Sequence, residues 1–351
     1  MRIFLYAFLF LGFGCFNSWA EQIIGFDDFG KKIVLQKPPE RIAVISATPL
    51  AAIFELGGGN RIIAVPNKID FFYPEVCRRY PSLLEKPHIG SFDNPNIEKI
   101  ISLNPDLIIL YASLENPGKY TSAFERYTLP YASFCTPIDV AFGLDQIKRL
   151  GVLLGKKKEA EKLTRKIKKE IDTIANKVSS AIKTRPLVFY WWGTGNGTYG
   201  RKASIHELIE LSGGIHLAGE FDKQWFEISP EYIISKNPDV IIISYWQENQ
   251  KEIRIKEIKE RQGFKHINAV KNNRIYLIDG NSIHSIIRFP EAMRNLVKFI
   301  HPEIEMSNKG QVTAVSSQRD MSAAGSNHVP QFLLGSVKSD NSQLTIHHSP
   351  F

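Results

Sequence analysis

The chain has 351 residues, 43% of them hydrophobic and 23% charged, a globular composition that argues against a disordered or low-complexity protein. One hydrophobic core seldom grows beyond roughly 250 to 300 residues, so an α/β protein with two cores is the expectation. The formal net charge of +8 is spread along the chain rather than gathered in a tail, which fits solvated helix faces better than a nucleic-acid groove.

Residues 1–20 read as an export signal. Met1 and Arg2 give a minimal positive start, Ile3 to Phe13 is an apolar run too short to span a bilayer, and Ser18-Trp19-Ala20 places small residues at a cleavage site. The mature chain would then begin at Glu21. Cys15 offers a lipid-anchored alternative, but Gly12-Phe13-Gly14 puts a bulky Phe where that signal takes a small residue, so the soluble secreted form is preferred. Export permits disulfides, and Cys77 and Cys135 remain as an even pair, either bridged or two unpaired thiols.

The first lobe, residues 21–150, opens with a hairpin from Ile24 to Leu35 turning at Asp27-Asp28-Phe29-Gly30-Lys31. Strands follow at Arg41–Ile45, Ile62–Val65, Leu107–Leu110 and Tyr131–Phe134, with a helix from Pro49 to Leu56 closed by Gly57-Gly58-Gly59. Across 151–184 a Lys- and Glu-rich helix carries Leu163, Ile167, Ile171 and Ile174 at helical spacing. From about Lys156 to Ser180 it would run roughly 37 Å at 1.5 Å per residue, enough to brace two lobes. The second lobe, 185–303, has strands at Leu187–Trp191 and Arg274–Ile278, a helix at Ser204–Leu211 and a closing helix through Glu291–Ile300. In the segment 304–351 the composition turns to Ser, Gln, Asn, Gly and Thr without a period, which reads as a disordered tail.

One phrase occurs in both lobes. Residues 96–110 read NIEKIISLNPDLIIL and 229–243 read SPEYIISKNPDVIII, with Glu98 and Glu231, Pro105 and Pro238, and Asp106 and Asp239 in register. Each copy is a short helix, an Asn-Pro-Asp stop and a buried parallel strand. The fold class is therefore α/β, two Rossmann-like lobes with mostly parallel sheets joined by one long rigid helix, and a cleft between them.

The loop Gly195-Asn196-Gly197-Thr198-Tyr199-Gly200 matches G-x-G-x-x-G and raises an exported dinucleotide-dependent enzyme as a rival. Against it, the helix starts only at Ser204, where Ser204 and Glu207 form an S-x-x-E capping box, so the glycines lie ahead of the helix. The histidines His88, His206, His216, His266 and His284 are not spaced as a metal motif; His284 is retained because it lies beside Arg288 in a polar turn after a strand. No catalytic arrangement stands out, and no enzyme is expected. Aromatic residues at strand ends do stand out. Ligands of open α/β sheets bind outside the carboxyl ends of the strands, which nominates Phe92, Tyr111, Trp192, Tyr199, Trp225, Tyr245 and Trp246, with His284 and Arg288, as the lining of a cleft for a bulky, partly planar, anionic ligand.

DDFGKKIVLQKPPERIAVIS, ELGGGNRIIAV, the two NPD phrases, AVKNNRIYLID and RFPEAMRNLVKFIHPE resemble the periplasmic substrate-binding proteins of iron-siderophore, haem and cobalamin ABC importers, over about residues 24–303. The resemblance implies a periplasmic protein, a monomer without a resident cofactor, that binds a metal chelate between its lobes and delivers it to an inner-membrane permease. It also implies that Glu98 and Glu231 are the docking carboxylates. An iron-siderophore or haem-like complex is the leading ligand; cobalamin, a nickel or cobalt chelate, and molybdate or tungstate remain alternatives, and the same fold could serve as a cell-surface adhesion module.

Overall fold

The computed structural model describes residues 22–46, 49–91, 94–113 and 121–306. The export signal, Phe92 and the tail after Met306 lie outside these residues. Among the described residues no helix is long and apolar enough to cross a membrane.

The first lobe contains the hairpin β1 (Ile23–Phe26) and β2 (Lys32–Leu35), then β3 (Ile42–Val44), α1 (Leu50–Glu55), β4 (Ile62–Ala64), α2 (Ile69–Phe72) and α3 (Pro74–Arg79). A small pair, β5 (Gly90–Ser91) and β6 (Asn94–Pro95), precedes α4 (Ile97–Ser102), β7 (Leu107–Tyr111), α5 (Thr121–Arg126) and β8 (Tyr131–Phe134). Two consecutive helices, α6 (Val140–Leu153) and α7 (Lys157–Ala181), lead to the second lobe. There follow β9 (Leu187–Trp191), β10 (Gly197–Tyr199), α8 (Ser204–Leu211), β11 (Ile215–His216), β12 (Trp225–Glu227), α9 (Pro230–Lys236), β13 (Val240–Tyr245), α10 (Lys251–Glu260), α11 (Asn268–Lys271), β14 (Ile275–Asp279) and α12 (Phe289–Ile300).

The two main sheets are parallel and alike, in the orders β4-β3-β7-β8 and β11-β9-β13-β14. The repeated phrase explains the likeness. Asn96 and Ser229 cap their helices through Lys99 N–H and Tyr232 N–H, and Asn104 and Asn237 leave them with positive φ, a conformation Asn tolerates. The next carboxylate then hooks the neighbouring strand. Asp106 accepts from the N–H groups of Glu40 and Arg41 at 2.8 and 2.9 Å, just before β3; Asp239 accepts from Leu187 N–H at 2.9 Å, the start of β9, and more weakly from Asn268.

Strand side chains alternate between two apolar layers, as sheets covered on both faces require. Ile42, Val44, Leu107 and Ile109 of the first lobe and Val188, Tyr190, Val240 and Ile242 of the second belong to the same cluster. The opposite faces feed separate clusters, around Ile108 and Phe124 in one lobe and Ile241 and Phe264 in the other. Instead of two isolated cores, the protein thus has one core continuous through both lobes and a smaller cluster outside each. The long helix is part of it: Ile167, Ile171, Ile174 and Val178 of α7 are buried, and α7 packs on α6 and α12. Gly151 of α6 lets α7 approach so closely that a Cβ there would stand 2.3 Å from that of Ala160.

One expectation is corrected, and one open pair of alternatives is decided. Ser204 and Glu207 do not form a capping box: Ala203 holds the N-cap position without a side-chain bond. Ser204 Oγ donates instead to the Ile283 carbonyl at 2.6 Å, and Glu207 accepts from Val140 N–H at 2.6 Å, closing the start of α6 from across the lobes. Burial raises the pKa of Glu207, the Val140 N–H opposes, and Asp139 adds to the rise. Cys77 and Cys135 are not bridged; both are buried free thiols. Burial, reinforced by Asp70, pushes the Cys77 thiol up to about 11, and burial together with Asp28 raises Cys135.

Because Asp106 and Asp239 do the same work in each lobe, replacing either by Ala should cost about 2 kcal/mol, the range for hydrogen bonds to a charged group. Urea unfolding measures this, with Asp106→Ala the costlier because both of its bonds are short. A negligible effect of both substitutions would remove the hook from the account of the fold.

Candidate functional site

In each sheet the chain leaves the central strand for one neighbour and then crosses back to the other, so a switch point lies between β3 and β7 and between β9 and β13. Loops diverge there and leave a crevice at the carboxyl ends of the strands. In the second lobe the residues at that point are Trp192, directly after β9, and Trp246, directly after β13.

Several backbone bonds fix these rings. Trp192 N–H donates to the Gly197 carbonyl at 3.0 Å, its own carbonyl accepts from Ser244 Oγ at 2.6 Å, and Trp246 N–H donates to Gln250 Oε1 at 3.0 Å. The indole of Trp246 lies over Gly280, where a Cβ would meet it at 2.8 Å. Trp192 is edge-on to Trp225 and to Trp246 at ring separations of 6.5 and 6.1 Å. Trp246 and Tyr199 flank His284 at 5.3 and 5.7 Å, and Tyr199 Oη lies 3.1 Å from His284 Nε2. These rings form one half-buried aromatic wall, with Tyr199 its most buried member.

The wall is neutral. Burial lowers the pKa of His284 to about 4, with Asp279 opposing, and burial raises Tyr199, helped by the phenols of Tyr190 and of Tyr111 in the first lobe. A neutral imidazole, three indoles and phenols can stack on a flat ligand and offer nitrogen or oxygen to a metal. The indole Nε1 of Trp225 is buried and has no hydrogen-bond partner among the described residues.

Of the residues nominated from sequence, Trp192, Tyr199, Trp225, Trp246 and His284 meet in this wall and Tyr111 approaches it from the other lobe. Tyr245 stands aside, its ring under the Lys251 ammonium at 4.3 Å. Arg288 is not the free cation expected: its guanidinium, 11% exposed, is bound to Asp279 and Glu291. Burial works against that charge, but Glu291 and Asp279 outweigh it and raise the pKa.

Other parts of the nominated chemistry separate from the wall. The glycine-rich loop does not lead into a phosphate cradle, because Gly197–Tyr199 is strand β10, paired antiparallel with β12. A cavity of about 20 Å³ between the lobes, lined by residues such as Phe134, Gln146 and Ile286, has room for water only. Among the described residues no three His, Cys, Asp or Glu side chains form a ready metal cage. Glu98 and Glu231 are exposed in the first turns of α4 and α9 and make no ion pair among the described residues.

The sequence profile of the periplasmic binding proteins matches residues 42–281. The chain belongs to the periplasmic binding protein family. Within that family it is similar to the uncharacterized ABC transporter substrate-binding lipoprotein YvrC of Bacillus subtilis, 24% identical over 284 residues that cover 79% of this chain and 85% of that one. The high-affinity heme uptake system protein IsdE of Staphylococcus aureus is 26% identical over 210 residues, 58% of this chain and 69% of its own. Among solved structures, a possible iron-binding (periplasmic solute-binding) protein of Staphylococcus epidermidis superimposes with a TM-score of 0.64 at 27% identity, covering 76% of this chain and 100% of that one.

The lowered pKa of His284 has a pH signature. The unfolded value is 6.5 and the folded one about 4, so its contribution to stability is fully present above pH 6.5 and is lost as pH falls toward 4. In urea unfolding, His284→Gln should lose less stability than the parent across that window. Parallel curves would show that His284 does not titrate differently on folding.

Proposed function

We propose that this protein is the substrate-binding component of an ABC importer that captures a metal chelate, an iron-siderophore or haem-like complex, in the cleft between its lobes and presents it to a membrane permease. The observation that carries the reading is the neutral aromatic wall around Trp192, Trp246 and His284 at the switch point of the second sheet. A wall of neutral aromatic rings suits a large, partly planar complex better than a small oxyanion. The reading makes the protein an exported, monomeric carrier, with no catalysis of its own.

The lobes share one core and are tied by α7, so binding should be accompanied by a small tilt rather than a wide hinge motion. The domain limits 21–150, 151–184 and 185–303 are proposed on the same basis, with α7 inside the middle segment. Glu98 and Glu231, equivalent residues of the two lobes, are proposed as the permease contacts, where carboxylates pair with Arg.

Tryptophan fluorescence of the protein titrated with haem, ferric hydroxamate and catecholate siderophores, cobalamin and molybdate tests the ligand class. One of the metal chelates should bind, molybdate should not, and Trp192→Ala or Trp246→Ala should weaken binding about tenfold, near 1.4 kcal/mol. Binding of molybdate alone, or unchanged affinity in both variants, would overturn the reading. Transport is tested separately: Glu98→Lys with Glu231→Lys should leave affinity intact and abolish permease-dependent uptake in cells, since like charges repel at an Arg-lined dock. Normal uptake would remove the docking assignment.

A further inference from the structure

A second group of polar side chains lies in the second lobe, apart from the aromatic wall and sharing no residue with it. His206 is on α8 and His216 ends the edge strand β11. Their rings are tilted by 39° with centroids 5.5 Å apart. Both line a pocket of about 360 Å³ at that edge, together with Glu210, Gly219, Glu220 and Lys236.

His216 is only 4% exposed, and among the described residues neither of its ring nitrogens has a hydrogen-bond partner; the same holds for Nδ1 of His206. A buried polar atom left unpaired costs about 1–3 kcal/mol, and native structures tolerate such atoms mainly where an ion, a water or a function accounts for them. Three on two adjacent imidazoles call for an explanation.

The surroundings hold the pair in place. Glu210 accepts from His216 N–H at 2.9 Å through one oxygen and is ion-paired with Arg185 through the other, which fixes the backbone under His216. Gly219 runs against the ring of His206, where a Cβ would fall 2.8 Å from Nδ1 and Cε1; any other residue would displace that ring. At the rim Glu220 is exposed and only loosely paired, 3.3 Å from Lys236.

We propose that His206 and His216 are the protein ligands of a site for a first-row transition-metal cation of the Zn²⁺ type, with water completing its coordination. Two imidazole nitrogens bound to one tetrahedral ion at about 2.0–2.1 Å would bring the ring centres to roughly 5 Å, a small adjustment from the observed 5.5 Å. Imidazole nitrogen suits Zn²⁺, Ni²⁺ and Cu²⁺, and the exposed Glu220 stands at the rim of the same pocket. With two protein ligands rather than three or four, the site is an exchangeable one of moderate affinity, and its pocket leaves room for the ion's waters.

The test is calorimetric titration of the metal-stripped full chain with ZnCl₂, supported by the visible spectrum of the Co²⁺ form. One ion per chain should bind, with a tetrahedral nitrogen-ligand cobalt spectrum. His206→Gln and His216→Ala should each weaken Zn²⁺ binding at least about tenfold, whereas Trp246→Ala, in the cleft, should leave it unchanged. His216 is buried and its variant could fail to fold, so His206→Gln and Gly219→Ala, both checked by circular dichroism, carry the decision. Absence of Zn²⁺ binding, or binding that survives both of these variants, would overturn the proposal, and neither result bears on chelate capture in the cleft.

Discussion

The structure depends on the continuity of its apolar core from one lobe into the other. Each sheet turns one face toward that shared core, and α6 and α7 pass through it. Gly143 of α6 meets Ile286 of the second lobe so closely that a Cβ would stand 2.9 Å from that residue's Cβ, and Glu207 binds the first N–H of the same helix. Separating the lobes would expose buried aliphatic surface and leave the Val140 N–H without its carboxylate partner, with only the Asp139 cap remaining at that helix start. Core burial is close-packed and short-ranged, so the lobes cannot slide by a few ångströms without losing most of what holds them.

That constraint places the site. With the lobes fixed, the space between the carboxyl ends of the two sheets is set by the loops after β9 and β13 and their partners in the first lobe. The aromatic side chains are held by backbone bonds from those loops rather than by one another alone. A ligand bound there, as proposed, would meet rings whose positions are determined by the fold, so that less of the binding free energy is lost in ordering them.

Much of this was legible from residue pattern. The duplicated phrase carried the caps, the left-handed Asn and the strand-hooking Asp in one stretch, because every one of those roles is local or reaches a strand of the same sheet. Helix α8 came out with its limits intact, although the capping box that suggested its start does not form. Ser204 and Glu207 were misread because their spacing is that of a capping box, yet tertiary partners, the Ile283 carbonyl and the Val140 N–H, compete better for the same side chains. The pairing of Arg288 is not legible in the sequence, because Asp279 reaches it only once β14 and the following turns are folded. His206 and His216 show the converse: ten residues of sequence give no metal spacing, and it is the return of β11 alongside β9 that sets their rings together. The signal that could have found them is the Gly-Gly pair after α8, which turns the chain back toward its own helix.

Gly280 contributes no side chain to the wall, yet it sets the height at which the Trp246 indole lies. A methyl group there would displace the ring without changing any residue of the wall itself. If cargo binds at this wall as proposed, the space open to it is written partly into a backbone position, and relatives with different cargoes could diverge by exchanging the floor beneath an aromatic ring rather than the ring itself.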